Sequence, residues 1–134
     1  MWMKRGYNQR WMIKGFVRSD IFTHEIGHIM KDMGFHGVRF GAESAVNRVL
    51  EILNKGETVE DHIRCIRIAR ECGLQVGASF MYDVPGETPE EKQATLDFIE
   101  KYHIKVQGYY KFMAFPGTPW WAGEDPREVD MRVR

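Results

Sequence analysis

The chain has 134 residues, of which 43% are hydrophobic and 28% are charged, and its 19 Lys and Arg balance its 19 Asp and Glu. This length and hydrophobic content allow one ordinary core, so the composition indicates neither an intrinsically disordered protein nor a disulfide-stapled miniprotein. Zero net charge without a concentrated basic segment argues against nucleic-acid binding. No apolar run could span a bilayer and no signal peptide opens the chain, so we expect a cytoplasmic protein without a membrane partner.

The first half of the chain alternates strand and helix signals. Residues 11–17 are β-compatible, and residues 21–33 carry apolar side chains at helical spacing before a glycine suited to a helix C-cap. Residues 37–41 form a short predicted strand, and residues 45–53 form a second predicted helix. The pattern indicates a strand–helix–strand–helix order.

Two strong helix starts follow. Thr58 with Asp61 has the spacing of a capping box and opens the third helix. Thr88 is an N-cap with Pro89 at the first helical position and Glu91 at the third, so a fourth helix begins there and runs to about residue 101.

Strands over residues 75–81 and 106–115 complete the order β-α-β-α-α-β-α-β. The connecting helices are long enough for right-handed parallel crossovers, so we predict an α/β fold with four parallel strands and helices on the outer face. Such a unit is half of an eight-stranded barrel or most of a small open sheet, and in either case ligands bind beyond the carboxyl ends of the strands. The polar residues at those ends are Arg18, Ser19, Asp20, Glu43, Ser44, Asp83 and residues 116–118.

The two ends of the chain differ in character from its middle. Residues 1–10 are polar and basic, and residues 122–134 form a charged tail without periodicity. We expect both segments to be loosely ordered and residues 11–121 to form the folded unit.

The two cysteines, Cys65 and Cys72, lie seven residues apart on the third predicted helix. They share a face about two turns apart, which is too far for a disulfide within one helix. Two small hydrophobic side chains on a buried stripe are the favoured interpretation, with a metal or redox pair as the alternative. The spacing resembles neither a zinc ribbon nor a cluster-binding loop.

His24, Glu25 and His28 form an H-E-x-x-H motif on the first predicted helix. Two histidines on one helix face can share Zn²⁺ while the glutamate takes a proton from metal-bound water, so a zinc metallopeptidase is an alternative function. Against it, His36 lies beyond the end of the helix and does not continue the ligand face. In an alternating fold the three motif residues instead form the solvated face of an outer helix. The side chains expected to pack inward are Ile26, Ile29, Met30 and Met33.

Several further short motifs occur once each along about 110 of the 134 residues. Each is weak evidence alone, and their order and spacing together are informative. They are Arg18-Ser-Asp20, Met30-Lys-Asp-Met-Gly34, Gly41-Ala-Glu43-Ser44, Leu53-Asn-Lys55-Gly56-Glu-Thr58, Gly73-Leu74, Ser79-Phe80-Met81, Pro85-Gly86-Glu87-Thr88 and Pro116-Gly117-Thr118-Pro119. In this order the sequence resembles the radical S-adenosylmethionine (SAM) enzymes. It is most similar to the branch that carries a cobalamin-binding domain upstream and to the related methylthiotransferase-like proteins.

The resemblance implies a partial (β/α)6 barrel in which residues 11–121 supply the last four strands, the C-terminal half of the catalytic core. SAM would lie across the strand ends and ligate a [4Fe-4S] cluster held by the complete protein. There, an electron from the cluster would cleave SAM to a 5′-deoxyadenosyl radical that abstracts hydrogen from a small molecule or another substrate. Cobalamin would enter only through an upstream domain.

Three of the implied SAM contacts follow the second strand. Glu43 matches the polar position at the end of the family's fourth strand, which faces the SAM ribose or methionyl group, and Ser44 follows it. Lys55 matches a basic position that often meets the SAM carboxylate. These roles suit the chemistry of a carboxylate acceptor and of an ammonium point charge.

The other implied contacts lie on the remaining strands. Arg18 matches a polar position close to the methionyl moiety, and Ser79 matches a position that reaches the ribose hydroxyls. Residues 111–115, with Ala114 among them, correspond to the sixth family strand, which lends backbone groups to adenine. On the residues alone, Arg18 and Glu43 are equally compatible with an ion pair between adjacent strand ends.

Two departures from the family matter. Asp83 stands where a glycine usually precedes the Pro-Gly-Glu-Thr turn, and the C-x3-C-x2-C loop that ligates the cluster is absent. Cys65 and Cys72 do not replace that loop, because they lie on an outer helix. We therefore expect a chain that contributes SAM contacts and does not cleave SAM alone.

A non-catalytic half-barrel used as an interaction module remains a third possibility. Whether or not the half-barrel is catalytic, its first strand would present an unpaired edge, which predicts self-association or marginal stability.

Overall fold

The computed structural model describes residues 4, 11–121 and 123, and its centre is one parallel sheet. The strands lie side by side in chain order: β1 (Ile13–Phe16), β2 (Phe35–Glu43), β3 (Gln75–Tyr82) and β4 (Lys105–Lys111). The helices between them are α1 (His24–Asp32), α2 (Asn47–Ile52), α3 (Val59–Glu71) and α4 (Pro89–Lys101). The predicted α/β fold with four parallel strands is confirmed. The predictions for residues 1–10 and 122–134 lie outside the described residues, apart from residues 4 and 123.

The core lies between the helices and one face of the sheet. Side chains alternate between the two faces of a strand, and the buried hydrophobic side chains of β2 and β3 occupy alternate positions. The helices close over this face with Ile66 and Ala69 of α3 and Phe98 of α4. The buried strand residues are Val38, Phe40, Ala42, Val76, Ala78 and Phe80.

The capping box predicted at Thr58 is present, and Thr88, predicted as an N-cap, also forms a capping box. The Thr58 side chain accepts from the backbone N–H of Asp61 at 3.2 Å, and the Asp61 carboxylate accepts from the backbone N–H of Thr58 at 2.9 Å. Thr88 and Glu91 repeat this exchange at the start of α4. Each box satisfies two backbone donors that the helix itself leaves without partners.

Helix α1 corrects one expectation. It begins at His24 after the N-cap Thr23 rather than at residue 21. The buried residue of this helix is Gly27, which packs against Cys72: a Cβ added to Gly27 would come 2.7 Å from Cys72 Sγ. Because the helix approaches α3 through this glycine, the predicted inward packing is wrong for three of four residues, and only Met30 packs against the core. The exposed fractions are 38% for Ile26, 52% for Ile29 and 47% for Met33.

Strand β1 lies at one edge of the sheet, with β2 as its neighbour. Beside it runs an apolar groove, here called the edge groove, to which Phe16 and Ile21 contribute side chains that are 82% and 61% exposed. The edge groove is lined by Phe16, Val17, Arg18, Ile21, Phe22 and Ile26. Within the described part of the chain, no helix is long and apolar enough to cross a membrane.

Candidate functional site at the strand ends

The sheet face opposite the core carries a row of small residues across three strands. Gly41 on β2 pairs with Ser79 on β3, and Ser79 pairs with Gly108 on β4. The two glycines leave space that neighbouring side chains use: the Tyr110 ring occupies the place that a Cβ of Gly108 would take. At Gly41, an added Cβ would come 2.7 Å from Glu43 Oε1. We call Gly41, Ser79 and Gly108 the small-residue row.

Glu43 and Lys55 meet above Gly41. The pairing register of β2 shifts between Gly41 and Glu43, and Glu43 has a positive φ of 63°. This irregular end of the strand brings Glu43 Oε1 to 3.6 Å from Nζ of Lys55, which lies in the loop after α2. Both side chains are partly exposed, at 18% and 24%. They form an opposite-charge pair that solvent and ligands can reach.

Arg18 joins this pair through a third acid. Its Nη2 lies 3.5 Å from Glu57 Oε1, and Lys55 Nζ lies 3.7 Å from the same oxygen. Arg18 also donates to both oxygens of Asp20, at 3.1 and 3.0 Å. These hydrogen bonds raise the pKa of Arg18 and lower the pKa of Asp20. Arg18 therefore pairs with Asp20 and Glu57 rather than with Glu43.

A buried polar network lies behind the charged residues. Ser19 Oγ lies 2.5 Å from Glu57 Oε2 and 2.8 Å from His62 Nδ1, and His62 Nε2 lies 3.0 Å from the carbonyl oxygen of Ala42. Ser19 and His62 are fully buried. Burial lowers the pKa of His62, and the carboxylate of Glu57 opposes part of that shift. We call Ser19, Glu57 and His62 the buried network.

Sequence reasoning did not single out Glu57 and His62. A signal for His62 was available, since it lies four residues before Ile66 on the buried face of α3, where a polar side chain needs a partner. Glu57 lies in the motif from Leu53 to Thr58, but the sequence alone does not show which side chains it contacts.

The structure separates the predicted contact residues into groups. Arg18, Glu43 and Lys55 come together, and Ser79 lies in the small-residue row. Ser44 is fully buried, and its hydroxyl accepts from Val46 N at 3.1 Å and lies near Thr95. That geometry gives Ser44 a structural role, and its contact with a ligand stays a prediction.

Two predicted features lie at β4 and the loop before α4. Ala114 follows β4, which ends at Lys111, earlier than the predicted residue 115. Asp83 has a positive φ of 56°, a conformation that glycine adopts most readily. Its carboxylate points to Lys92 and Lys111, at 3.3 and 3.8 Å. The backbone at Asp83 therefore keeps a glycine-like conformation although a side chain is present.

The H-E-x-x-H motif lies on the exposed surface of α1, as its solvated-face interpretation predicted. His24 Nε2 lies 2.5 Å from Glu71 Oε2, and the ring centroids of His24 and His28 are 6.4 Å apart. The described residues contain no group of three His, Cys, Asp or Glu that could hold a metal ion. The structure gives the zinc peptidase no support.

The cysteines fit the buried-stripe interpretation. Both are free thiols and both are buried. Burial raises the pKa of Cys65 to about 12 and also raises the pKa of Cys72. Because iron–sulfur clusters are held by thiolates, these two side chains do not fit a [4Fe-4S] cluster.

Comparison with known proteins identifies the family. The family model described as the radical SAM superfamily matches residues 9–99. The chain belongs to the radical SAM superfamily. An uncharacterised methyltransferase of Pyrococcus horikoshii is 36% identical over 104 residues, which are 78% of this chain and 23% of the relative. A tRNA-2-methylthio-N(6)-dimethylallyladenosine synthase of a Ruegeria species is 32% identical over 98 residues, 69% of this chain and 22% of the relative. The chain thus spans about a quarter of the length of these two relatives.

Solved structures show the same architecture. The radical SAM methyltransferase TsrM from Kitasatospora setae, solved with cobalamin and a [4Fe-4S] cluster bound, superposes with a TM-score of 0.72 and 25% identity. The match covers 87% of this chain and 24% of TsrM. The radical SAM enzyme coproporphyrinogen III oxidase of Escherichia coli matches with a TM-score of 0.70 at 19% identity, over 78% of this chain and 24% of the enzyme, which shows the shared fold. The four strands and their helices therefore correspond to part of the radical SAM (β/α) barrel.

Proposed function

We propose that this chain binds SAM across the carboxyl ends of its strands, as part of a radical SAM catalytic core. The observation that carries the proposal is the meeting of Glu43, Lys55 and Arg18 at the strand ends beside the small-residue row. In parallel α/β sheets this edge is where ligands bind.

Each group has a role that its chemistry allows. The Lys55 ammonium binds the SAM carboxylate as a point charge, and the Glu43 carboxylate accepts from the SAM ammonium or from a hydroxyl. Arg18 supports the methionyl end. Ser79 offers a hydroxyl to the ribose, and the backbone around Ala114 serves the adenine. The small-residue row supports this assignment because its glycine at position 41 leaves the room in which the Glu43 carboxylate and the Lys55 ammonium lie.

The radical chemistry of the superfamily draws an electron from a [4Fe-4S] cluster, and the two cysteines of this chain do not fit one. We therefore assign to this chain the binding and orientation of SAM and no later step. For the complete protein we propose cleavage of SAM to a 5′-deoxyadenosyl radical, with the cluster on cysteines outside these 134 residues. A cobalamin-binding domain in that complete protein is part of the same proposal. The cytoplasmic location stays a prediction.

Titration of the purified chain with SAM by isothermal calorimetry tests the proposal. We expect binding that weakens about tenfold in Lys55→Ala and in Glu43→Gln, because each change removes one charge partner of the ligand. Lys101→Ala is the matched control, since Lys101 is an exposed lysine at the far end of α4. Absence of SAM binding by the native chain would reject the proposal and favour a non-catalytic interaction module.

The expected lack of cleavage by the chain alone has its own test. The chain is incubated anaerobically with iron, sulfide and a reductant, and 5′-deoxyadenosine is then measured. We expect neither a stable cluster nor turnover, since the thiols of Cys65 and Cys72 are buried. A stable cluster with SAM turnover would show that this assignment is wrong.

A further inference from the structure

The buried carboxylate of Glu57 has its two oxygens in different surroundings. Oε2 points inward, where it accepts from the backbone N–H of Ser19 at 3.3 Å and lies 2.5 Å from Ser19 Oγ. His62 Nδ1 stands 4.0 Å away on the same side. Oε1 points to the strand ends, 3.5 Å from Arg18 Nη2 and 3.7 Å from Lys55 Nζ. One oxygen anchors the side chain, and the other faces two cations.

The groups that anchor Glu57 are themselves fixed. Arg64 Nη2 donates to the carbonyl oxygen of Ser19 at 3.3 Å, which holds the turn after β1. His62 is held at its other ring nitrogen by the carbonyl oxygen of Ala42 on β2. The Glu57 side chain, only 2% exposed, is therefore tied to the ends of two strands. Burying a carboxylate costs free energy unless such partners offset it, so this anchoring accounts for its depth.

Lys55 Nζ lies at nearly equal distances from two carboxylates, 3.6 Å from Glu43 Oε1 and 3.7 Å from Glu57 Oε1. Both distances exceed the normal length of an N–H···O hydrogen bond, so the ammonium is shared rather than closed onto one partner. Coulomb attraction to Glu57 balances the attraction to Glu43. Without the charge of Glu57, Lys55 would be drawn onto Glu43.

We propose that Glu57 is a positioning residue that holds Lys55 apart from Glu43, so that both charges stay open to a ligand. An α-amino acid presents a carboxylate and an ammonium on one carbon, and Lys55 and Glu43 above Gly41 offer the complementary pair. This inference rests on the proposed binding of SAM, whose methionyl end is such an α-amino acid. By keeping both charges open, Glu57 makes the site selective for the amino-acid end of SAM.

The test compares two ligands that share an adenosine and a sulfur atom. SAM carries the amino-acid group, and 5′-methylthioadenosine lacks it. We expect Glu57→Gln to weaken SAM binding about tenfold and to change methylthioadenosine binding by less than about twofold, measured by calorimetry. The control Glu51→Gln removes the same charge from an exposed residue of α2 and should change neither.

An equal loss for both ligands, or no loss for SAM, would overturn the positioning role. If the native chain binds neither ligand, the proposed function fails, and the role of Glu57 is decided without a ligand. Crystal structures of the native chain and of Glu57→Gln then compare the separation of Lys55 Nζ from Glu43 Oε1. A clear shortening supports the role, and an unchanged separation contradicts it. If Glu57→Gln does not fold, Glu57→Asp, whose shorter side chain moves the carboxylate away from Lys55, carries the same ligand comparison with the same selective loss expected.

Discussion

His62 on α3 contacts the backbone of β2: its Nε2 lies 3.0 Å from the carbonyl oxygen of Ala42, and its ring centroid lies 5.3 Å from that of Phe40. A helix side chain thus satisfies a main-chain acceptor just before the strand end that carries Glu43. The position of α3 and the position of the candidate site are therefore coupled through one imidazole.

The first prediction concerns the pH dependence of stability. Because burial lowers the pKa of His62 in the folded protein, the unfolded chain takes up the proton first as the pH falls. The contribution of neutral His62 is present above its ordinary pKa of 6.5 and is lost as the pH falls below that value. In His62→Gln we expect a smaller decline in the free energy of unfolding between about pH 6.5 and pH 5, measured by urea denaturation. The control His28→Gln, on the exposed surface of α1, should keep the native decline.

The second prediction concerns the stability of the protein in acid, which depends on a carboxylate at the start of α4. Arg48 donates to both carboxylate oxygens of Glu91 at 2.6 Å, and this pairing, with the backbone N–H of Thr88, lowers the pKa of Glu91 to about 2. The stabilising effect is present above the ordinary pKa of 4.5 and fades as the pH falls from there towards 2. Glu91→Gln should lower the melting temperature at neutral pH and flatten its decline below pH 4.5 in calorimetry. Identical acid profiles for variant and native protein would contradict this pairing.

Gly27 sets the distance between α1 and α3. Alanine would normally favour a helix by about 1 kcal/mol. Here its Cβ would come 2.7 Å from Cys72 Sγ, and overpacking of this kind costs ~1–3 kcal/mol. We expect Gly27→Ala to lower the free energy of unfolding in urea. The same substitution should be less destabilising in a Cys72→Ala background, because the obstructing sulfur is gone and the nearest remaining atom is the Cβ of residue 72 at 3.3 Å. Stabilisation by Gly27→Ala alone would contradict the close approach.

The fourth prediction concerns the edge groove beside β1. Among the described residues β1 has a strand neighbour on one side only, and an edge strand next to exposed apolar side chains favours pairing with another chain. We therefore expect self-association that rises with protein concentration in sedimentation velocity. Phe16→Asp should reduce it, because Phe16 is 82% exposed in the groove. Leu96→Asp on α4, also an exposed apolar residue, is the control and should leave it unchanged. A native chain that stays monomeric at high concentration would contradict the prediction.

Local signals predicted the elements well. The capping box at Thr58 and the N-cap at Thr88 follow from the residues around them, and the parallel order follows from the alternation of strands and helices. Helix α1 was harder because its apolar stripe suggested inward packing, whereas the observed contact runs through Gly27, a residue without a hydrophobic side chain. Periodicity describes a helix, and the choice of its buried face depends on the neighbour that it meets.

The candidate site also has residues that the sequence predicted and residues that it did not. The resemblance supplied Arg18, Glu43 and Lys55, and the structure brings them together. Glu57 was missed because its role depends on contacts with Ser19 and His62, which are 38 residues before it and five residues after it in the chain. Such a network forms only when the ends of β1 and β2 are placed side by side.

The small-residue row has a further consequence for any ligand that enters from the strand ends. The space beside Gly41 is taken by the Glu43 carboxylate and the space beside Gly108 by the Tyr110 ring, so a ligand meets these two side chains, on a backbone held by the pairing of three strands. Both side chains have rotatable bonds, so a ligand that reaches the backbone beneath them must displace them, and their reordering costs part of the binding free energy. The glycines thus decide where these side chains rest: a methyl group at Gly41 would displace the charged ends of Glu43 and Lys55, and one at Gly108 would displace the Tyr110 ring.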